Sequence, residues 1–545
     1  MHTGIEQKSG RGGGLVNSII LLTASTLICK VIGLFFKIPI IGIVGIDGMA
    51  YFSAAYNIYM LLNSISAAGL PVALSILVSK NITEGKRSNA VKTFSVAMVC
   101  FAILGALCTV VLYFGADAYS DFIGIRDAAL AVKAISPTLL FICLSGGIRG
   151  YFQGFKMMGP TAVSQLLESL GKLFLGIAFA LFVVNKSGEP SVAAAAAVTG
   201  LSAGVLISLL FLLLRLIIFN KRSPKDYCGC NDESTDRIAK ITRNLFFIAF
   251  PITISSCITS LTGLADTALI TNRLIDAGMS NDAAVTLYSS YTNLAIPLFN
   301  LPPALIAPVA ISLIPSLTSS VTSGHTAASE RFFSSAVKMC AMMAIPASAG
   351  LAVFSKQILL LLYPGEKEAC NFAAPLLTVL SVAIVFSCLI TVLNAVLQAY
   401  MRPVLPIISM AIGALVKIIA EYFLVGSNLG VMGAPISTIA CTFTIFLADL
   451  IFVIVYTPHR LKFNQIVKSL IATFISVTSA AIMYRYIVQI SASDIFSLFI
   501  SIAWAVISYA ILAMLIGVVR APDIIGLPFG QKIAAILVKM KLIKE

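Results

Sequence analysis

LVNSIILLTASTLICKVIGLFFKIPIIGIV, residues 15–44, holds two charges, Lys30 and Lys37, in an otherwise uncharged run. About 20 apolar residues suffice to cross the hydrocarbon core of a bilayer as a helix. The run follows Lys8 and Arg11, as a leader peptide might, but it is too long for a leader's apolar region and lacks an AxA-like cleavage site. It is therefore expected to stay as a first membrane span. Thr23, Thr26, Lys30, Gly33 and Lys37 recur at steps of three and four, which places them on one helix face. A face of that composition should be wet.

The rest of the chain repeats the pattern. Of 545 residues, 59% are hydrophobic and only 11% charged, and the mean hydropathy is +0.99; soluble domains carry roughly a quarter charged residues. Further apolar segments lie near 50–79, 90–115, 125–152, 160–184, 191–219, 242–275, 283–319, 328–356, 370–400, 404–427, 431–457, 463–488 and 494–519. The expected fold class is all-α, a polytopic membrane protein of about 14 transmembrane helices. The net charge of +14 comes from short basic clusters with no aromatic-basic module beside them, which argues against nucleic acid. Lys80, Lys86, Arg87, Lys156, Lys221, Arg222, Lys225, Arg237, Lys240, Arg331, Arg402, Arg460 and Lys462 fall in alternate loops that the positive-inside rule assigns to the cytoplasm. The loops with Asp117, Asp121, Glu189, Asp276, Asp282, Glu366, Glu368 and Asp494 face outward, and both termini lie inside.

The two halves resemble each other. Pro71-Val72-Ala73-Leu74-Ser75 recurs as Pro308-Val309-Ala310-Ile311-Ser312, with Tyr51, Ser53 and Asn63 matching Tyr288, Ser290 and Asn300. A second block matches Gln153, Phe155, Ser164 and Lys172 to Gln398, Tyr400, Ser409 and Lys417. Duplicated units of six helices insert with the same orientation, because six is even. The expected organisation is a cytoplasmic N-terminus at 1–14, an N-lobe at 15–219, a cytoplasmic linker at 220–241 and a C-lobe at 242–457. Two added helices follow at 458–519, then a basic amphipathic cytoplasmic tail at 520–545.

Catalytic and metal chemistry find little support. The eleven cysteines are scattered and form no CxxC pair. Cys228 and Cys230 beside Asp232 leave a metal site two ligands short, so free thiols are expected. His2, His325 and His459 fall in separate loops, without a Ser-His or HExxH arrangement. The chain is not expected to be an enzyme, and no cofactor or metal is implied.

Charges within spans are the candidate functional residues, because each costs several kcal/mol unless it meets a cavity or a partner. Lys30 and Lys37 stand about 10 Å apart along the helix axis, a spacing suited to a long polyanionic headgroup, with Thr26 on the same face. The opposing reading is that either lysine snorkels to an interface. Asp266 and Arg273 occupy a similar stripe with Ser255, Thr259 and Thr262. Asp266 either pairs with the Lys37 level or serves a coupling ion; both readings stand. Glu168 with Lys172, and Lys417 with Glu421, have i,i+4 spacing and are read as self-neutralising structural pairs. Arg149 and Arg485 lie toward span ends and are read as snorkelling anchors. The segment holding Pro297, Pro302, Pro303, Pro308 and Pro315 should not be regular helix throughout.

AYFSAAYNIYMLLNSISAAGLPVALSILVS at Ala50–Ser79, CKVIGLFFKIPI at Cys29–Ile40 and PVAISLIPSLTSS at Pro308–Ser320 resemble the polysaccharide-exporter branch of the multidrug and oligosaccharidyl-lipid exporter superfamily. Within it the likeness is to the MurJ-type lipid II flippases and the stage V sporulation protein B group, and it covers nearly the whole chain. The resemblance implies two six-helix lobes, two extra helices and a cationic cavity for a lipid-linked oligosaccharide carried on a polyprenyl diphosphate. It also implies a bacterial cell membrane, with cell-wall synthesis proteins as potential partners. Lys30 matches the basic site of the family's first helix, and Lys37 lies about one position from the next. Asn63 and Ser64 stand where Gram-negative members carry a basic residue, so the implied substrate is an anionic lipid-linked saccharide, of which lipid II is one. A multidrug extruder and a structural partner of cell-wall synthesis are the alternatives.

Overall fold

The computed structural model describes residues 13–65, 69–155, 157–222, 237–323, 325–460, 463–491 and 493–518. The tail at 520–545, most of the 220–241 stretch with Cys228 and Cys230, and residues 1–12 lie outside the described residues. Described secondary structure is helical throughout: α1 (Gly13–Asn63), α2 (Gly69–Thr83), α3 (Arg87–Phe122), α4 (Ala129–Gly154), α5 (Gly159–Ser187), α6 (Pro190–Arg222), α7 (Ile238–Asp276) and α8 (Asn281–Ser289). There follow α9 (Ile296–Thr322), α10 (Thr326–Val353), α11 (Ser355–Leu362), α12 (Lys367–Ala399), α13 (Val404–Val425), α14 (Gly433–Tyr456), α15 (Phe463–Ser491) and α16 (Asp494–Leu515). Helix satisfies every backbone polar group within its own segment, which a lipid environment demands.

Twelve of the described helices are long and apolar enough to span a membrane, so the chain is a multi-pass membrane protein. Among the described residues, two breaks redraw the expected spans. The first expected span and the start of the second share one helical run, α1, interrupted where Gly45 adopts φ 77°, ψ 170°, a region open to glycine almost alone, and the second span resumes as α2. The expected eighth span is divided into α8 and α9 by a six-residue π-turn, Ser290–Ala295. The expectation of irregularity at the prolines is corrected: all five lie in α9, which stays helical from Ile296 to Thr322, and the irregular turn precedes the first of them.

Large apolar side chains face outward as well as inward, and small polar ones are buried between helices. Phe114, Phe247 and Phe474 are more than two-thirds exposed, whereas Ser136, Ser164, Ser208 and Ser381 are fully buried. Without a hydrophobic drive between helices in lipid, small residues that let backbones approach give the contact energy. The α5–α6 seam follows that rule. A Cβ on Gly200 would lie 2.3 Å from the Gly176 Cα, and one on Gly171 would lie 2.5 Å from the Gly204 Cα. Gly200→Val is therefore expected to force the helices apart and to destabilise the protein by about 1–3 kcal/mol, read as a lower unfolding temperature in detergent; an unchanged temperature would show that the seam yields freely.

By its contacts the chain divides into two compact units, Met1–Asn272 and Arg273–Glu545. In the first, α7 packs with the helices before it: Leu245 and Ala249 share a core with Leu70, Leu74 and Phe101. Asn57 Nδ2 donates to the Gly263 carbonyl at 3.3 Å and to Thr267 Oγ1 at 2.8 Å. Thr271 and Asn272 donate to the carbonyls of Ile123 and Phe122. In the second unit, His459 is buried against the Phe333 ring. Its Nε2 lies 3.0 Å from both Ser329 Oγ and Tyr400 Oη, and its Nδ1 lies 3.0 Å from Glu330 Oε2. This is a Ser-His-Glu contact that the sequence reading did not anticipate, because Ser329 and His459 are 130 residues apart. With both side chains 1% exposed, it is a staple tying the start of α10 to the segment after α14.

Candidate functional site

α5 presents Gln165, Glu168, Ser169, Lys172 and Gly176 at helical steps on one face, while Leu170, Phe174, Leu181 and Phe182 are exposed. The polar face meets a cavity of about 310 Å³ inside the first unit. Cys29, Gly33, Phe36, Tyr56, Tyr59 and Asn63 of α1 form one wall, and Glu168, Ser169 and Lys172 of α5 form the other. The volume lies at the lower end of small-molecule pockets.

Arg149 sets the electrostatics from behind this wall. Its guanidinium donates to Glu168 Oε2 at 2.8 Å, to Ser164 Oγ at 2.8 Å and to Ser208 Oγ at 2.9 Å. One side chain thus joins α4, α5 and α6. The expectation of a snorkelling anchor is corrected, since the Arg149 side chain is only 13% exposed. The self-neutralising Glu168–Lys172 pair is corrected as well. Arg149 takes the carboxylate because its planar fork serves three acceptors at once.

Lys172 is held differently. Its Nζ stands 4.9 Å from the ring centroid of Tyr56, 5.1 Å from that of Phe36 and 5.9 Å from that of Phe52. Ring faces attract a cation without neutralising it. Lys37 is half-buried and within electrostatic reach of Lys172. With Glu168 engaged by Arg149, Lys172 is the cation that the described cavity lining presents to a ligand. Asn63 Oδ1, on the opposite wall, is buried with no hydrogen-bond partner among the described residues. Such an acceptor suits a hydroxyl or amide of a ligand.

The other sequence-selected residues are distributed as follows. Lys30 and Thr26 lie on α1, but their side chains are outside the described residues. Asp266 is half-buried on α7, between the Gly263 and Thr267 positions that Asn57 contacts. Arg273 is engaged locally in the second unit: its guanidinium lies 4.3 Å from the Tyr422 ring centroid, pairs with Asp276 at 3.0 Å and donates to the Tyr422 carbonyl. Lys417 and Glu421 are buried on α13. Asp449, buried on α14, accepts from Ser409 Oγ; it was missed, although the rule that selects charges within apolar runs applies to it. The aromatic setting of Lys172 had no comparable signal, because Phe36, Phe52 and Tyr56 read as ordinary apolar residues.

The comparisons with known proteins match this architecture. A family model described as polysaccharide biosynthesis protein matches residues 15–321. The lipid II flippase MurJ of Bacillus subtilis (strain 168) is 28% identical over 428 residues, 74% of this chain and 76% of that protein. The stage V sporulation protein B of the same organism is 23% identical over 511 residues, 93% of this chain and 96% of that one. A solved structure of the lipid II flippase MurJ in an inward closed conformation superposes with a TM-score of 0.67 at 16% identity, covering 91% of this chain and 98% of that one. The resemblance read from residues 29–40, 50–79 and 308–320 is borne out.

Proposed function

We propose that this chain, which belongs to the polysaccharide biosynthesis protein family, is a flippase. It carries a polyprenyl-diphosphate-linked saccharide, lipid II or a related wall, cortex or polysaccharide precursor, from the inner to the outer leaflet by alternating access. The observation that supports this reading most is Lys172, a cation facing a cavity and caged by ring faces instead of a carboxylate. A diphosphate leaving water loses its hydration, and Lys172, with Lys37 and Arg149 near it, offsets that loss. Asn63 offers an acceptor to the saccharide. Lys30 and Thr26, at helical steps from the cavity-lining Gly33 in the sequence of α1, are the further substrate contacts of this reading, and Asp266 is its group for ion coupling. Arg273 is left out, because its guanidinium has local partners. The lobes at 15–219 and 242–457 are taken as the duplicated units.

The membrane is that of a bacterial cell, with both termini cytoplasmic and cell-wall synthesis proteins as potential partners. An inside-negative potential then favours outward passage of an anion by about 2.3 kcal/mol per charge per 100 mV. The role is transport, not catalysis. The test is reconstitution of the full chain in vesicles with a fluorescent lipid-linked saccharide in one leaflet. Protein-dependent passage to the other leaflet is expected; absence of passage, with transport of a cationic drug instead, would replace this reading by a multidrug extruder.

A further inference from the structure

A cleft of about 570 Å³ opens in the second unit where α11, the start of α12, the end of α15 and the start of α16 meet. Lys356 and Lys367 line it with the Tyr484 hydroxyl and Asp494, while Leu360, Leu361 and Leu498 add an apolar flank. Its floor is fixed, because Phe354, Ala480 and Leu498 form a core that Leu361 and Tyr484 pack against. Tyr484 Oη lies 3.5 Å from Asp494 Oδ1 and donates to it.

The two lysines are out of place by the charge rule. In the orientation proposed above, this end of the protein faces outward, where basic residues are disfavoured. Three other basic residues described near the outward ends have a carboxylate partner. Lys133 pairs with Asp117 at 2.8 Å, Arg126 with Asp121 at 2.9 Å and Arg273 with Asp276 at 3.0 Å, and Lys186 lies over the Phe182 ring. Among the described residues, Lys356 and Lys367 have no ion-pair partner. Two cations and one carboxylate in a cleft flanked by leucines match an amphiphile with an anionic head.

We propose that this cleft holds the phosphate of a lipid headgroup in the outer leaflet, gripped between Lys356 and Lys367 with its hydrocarbon along Leu360, Leu361 and Leu498. The leaflet rests on the orientation above; the binding does not. The phosphate has two possible sources, the polyprenyl diphosphate of transported lipid or a bulk phospholipid.

The experiment is native mass spectrometry of the detergent-solubilised full chain with polyprenyl diphosphate, phosphatidylglycerol or uncharged diacylglycerol. It is run in a Lys172→Gln background, so that the cavity of the first unit contributes less. Both phosphate lipids should be retained over diacylglycerol, and Lys356→Gln/Lys367→Gln should weaken retention about tenfold, about 1.4 kcal/mol. Asp494→Asn should strengthen it, an opposite sign that a folding defect would not give. Weakening confined to polyprenyl diphosphate identifies transported lipid as the source, and weakening confined to phosphatidylglycerol identifies bulk lipid. Wild-type retention of both by the double lysine variant overturns the proposal. Lysine-dependent retention by a protein that fails to flip saccharide in vesicles would overturn the flippase reading alone.

Discussion

Arg149→Ala is expected to destabilise the protein by about 2–3 kcal/mol, less than the 3–5 kcal/mol of a fully buried pair, because the stranded Glu168 is partly exposed to the cavity. The change strips Glu168 of its 2.8 Å contact and leaves Ser164 and Ser208 without the donor that joins α4, α5 and α6. Thermal unfolding in detergent and the yield of monodisperse protein measure it. Arg149→Gln/Glu168→Gln removes both charges and should recover most of the loss, because two neutral amides in the same space can hydrogen-bond each other. Wild-type stability of Arg149→Ala would mean that Glu168 is solvated and that the pairing contributes little.

Lys172→Gln is expected to behave in the opposite way, leaving folding nearly intact and lowering translocation about ten- to a hundredfold. The aromatic cage loses a cation but no buried charge is stranded, whereas the substrate loses one charge-assisted contact worth about 1.5–3 kcal/mol. Lys172→Arg should keep part of the activity. Exchanging Glu168 and Lys172 tests the arrangement further. A lysine at 168 would face Arg149, and a glutamate at 172 would face the negative ring faces of Phe36, Phe52 and Tyr56, so both fold and transport should fail. An active exchanged protein would restore the simple i,i+4 pair.

That pair illustrates what can be read from one dimension. Spacing placed Glu168 and Lys172 on one face, and they share the cavity wall; their partners come from other helices, which spacing along α5 does not encode. Arg149 was misjudged for a related reason. Its nearness to the end of α4 suggested the interface, but Ser164, Glu168 and Ser208 draw it inward. The spans themselves were legible because the energetic demand of lipid is uniform along a helix. Breaks in them were less so: Gly45 carries no turn signal beyond being glycine, and the π-turn at Ser290–Ala295 begins before the first proline of its segment.

The glycine seam between α5 and α6 bears on how the cavity of the first unit is walled. A glycine face carries no side-chain atoms, so the α5 and α6 backbones touch directly where Gly171 and Gly176 meet Gly204 and Gly200. A side chain added there displaces a whole helix, and with it the wall that carries Glu168 and Lys172. The facing wall is built differently: the Gly45 break in α1 falls between Phe36 and Phe52, and Lys172 lies over rings from both sides of it. The aromatic cage is thus a bridge across a helix break, and its geometry is set by the angle between the two halves of α1.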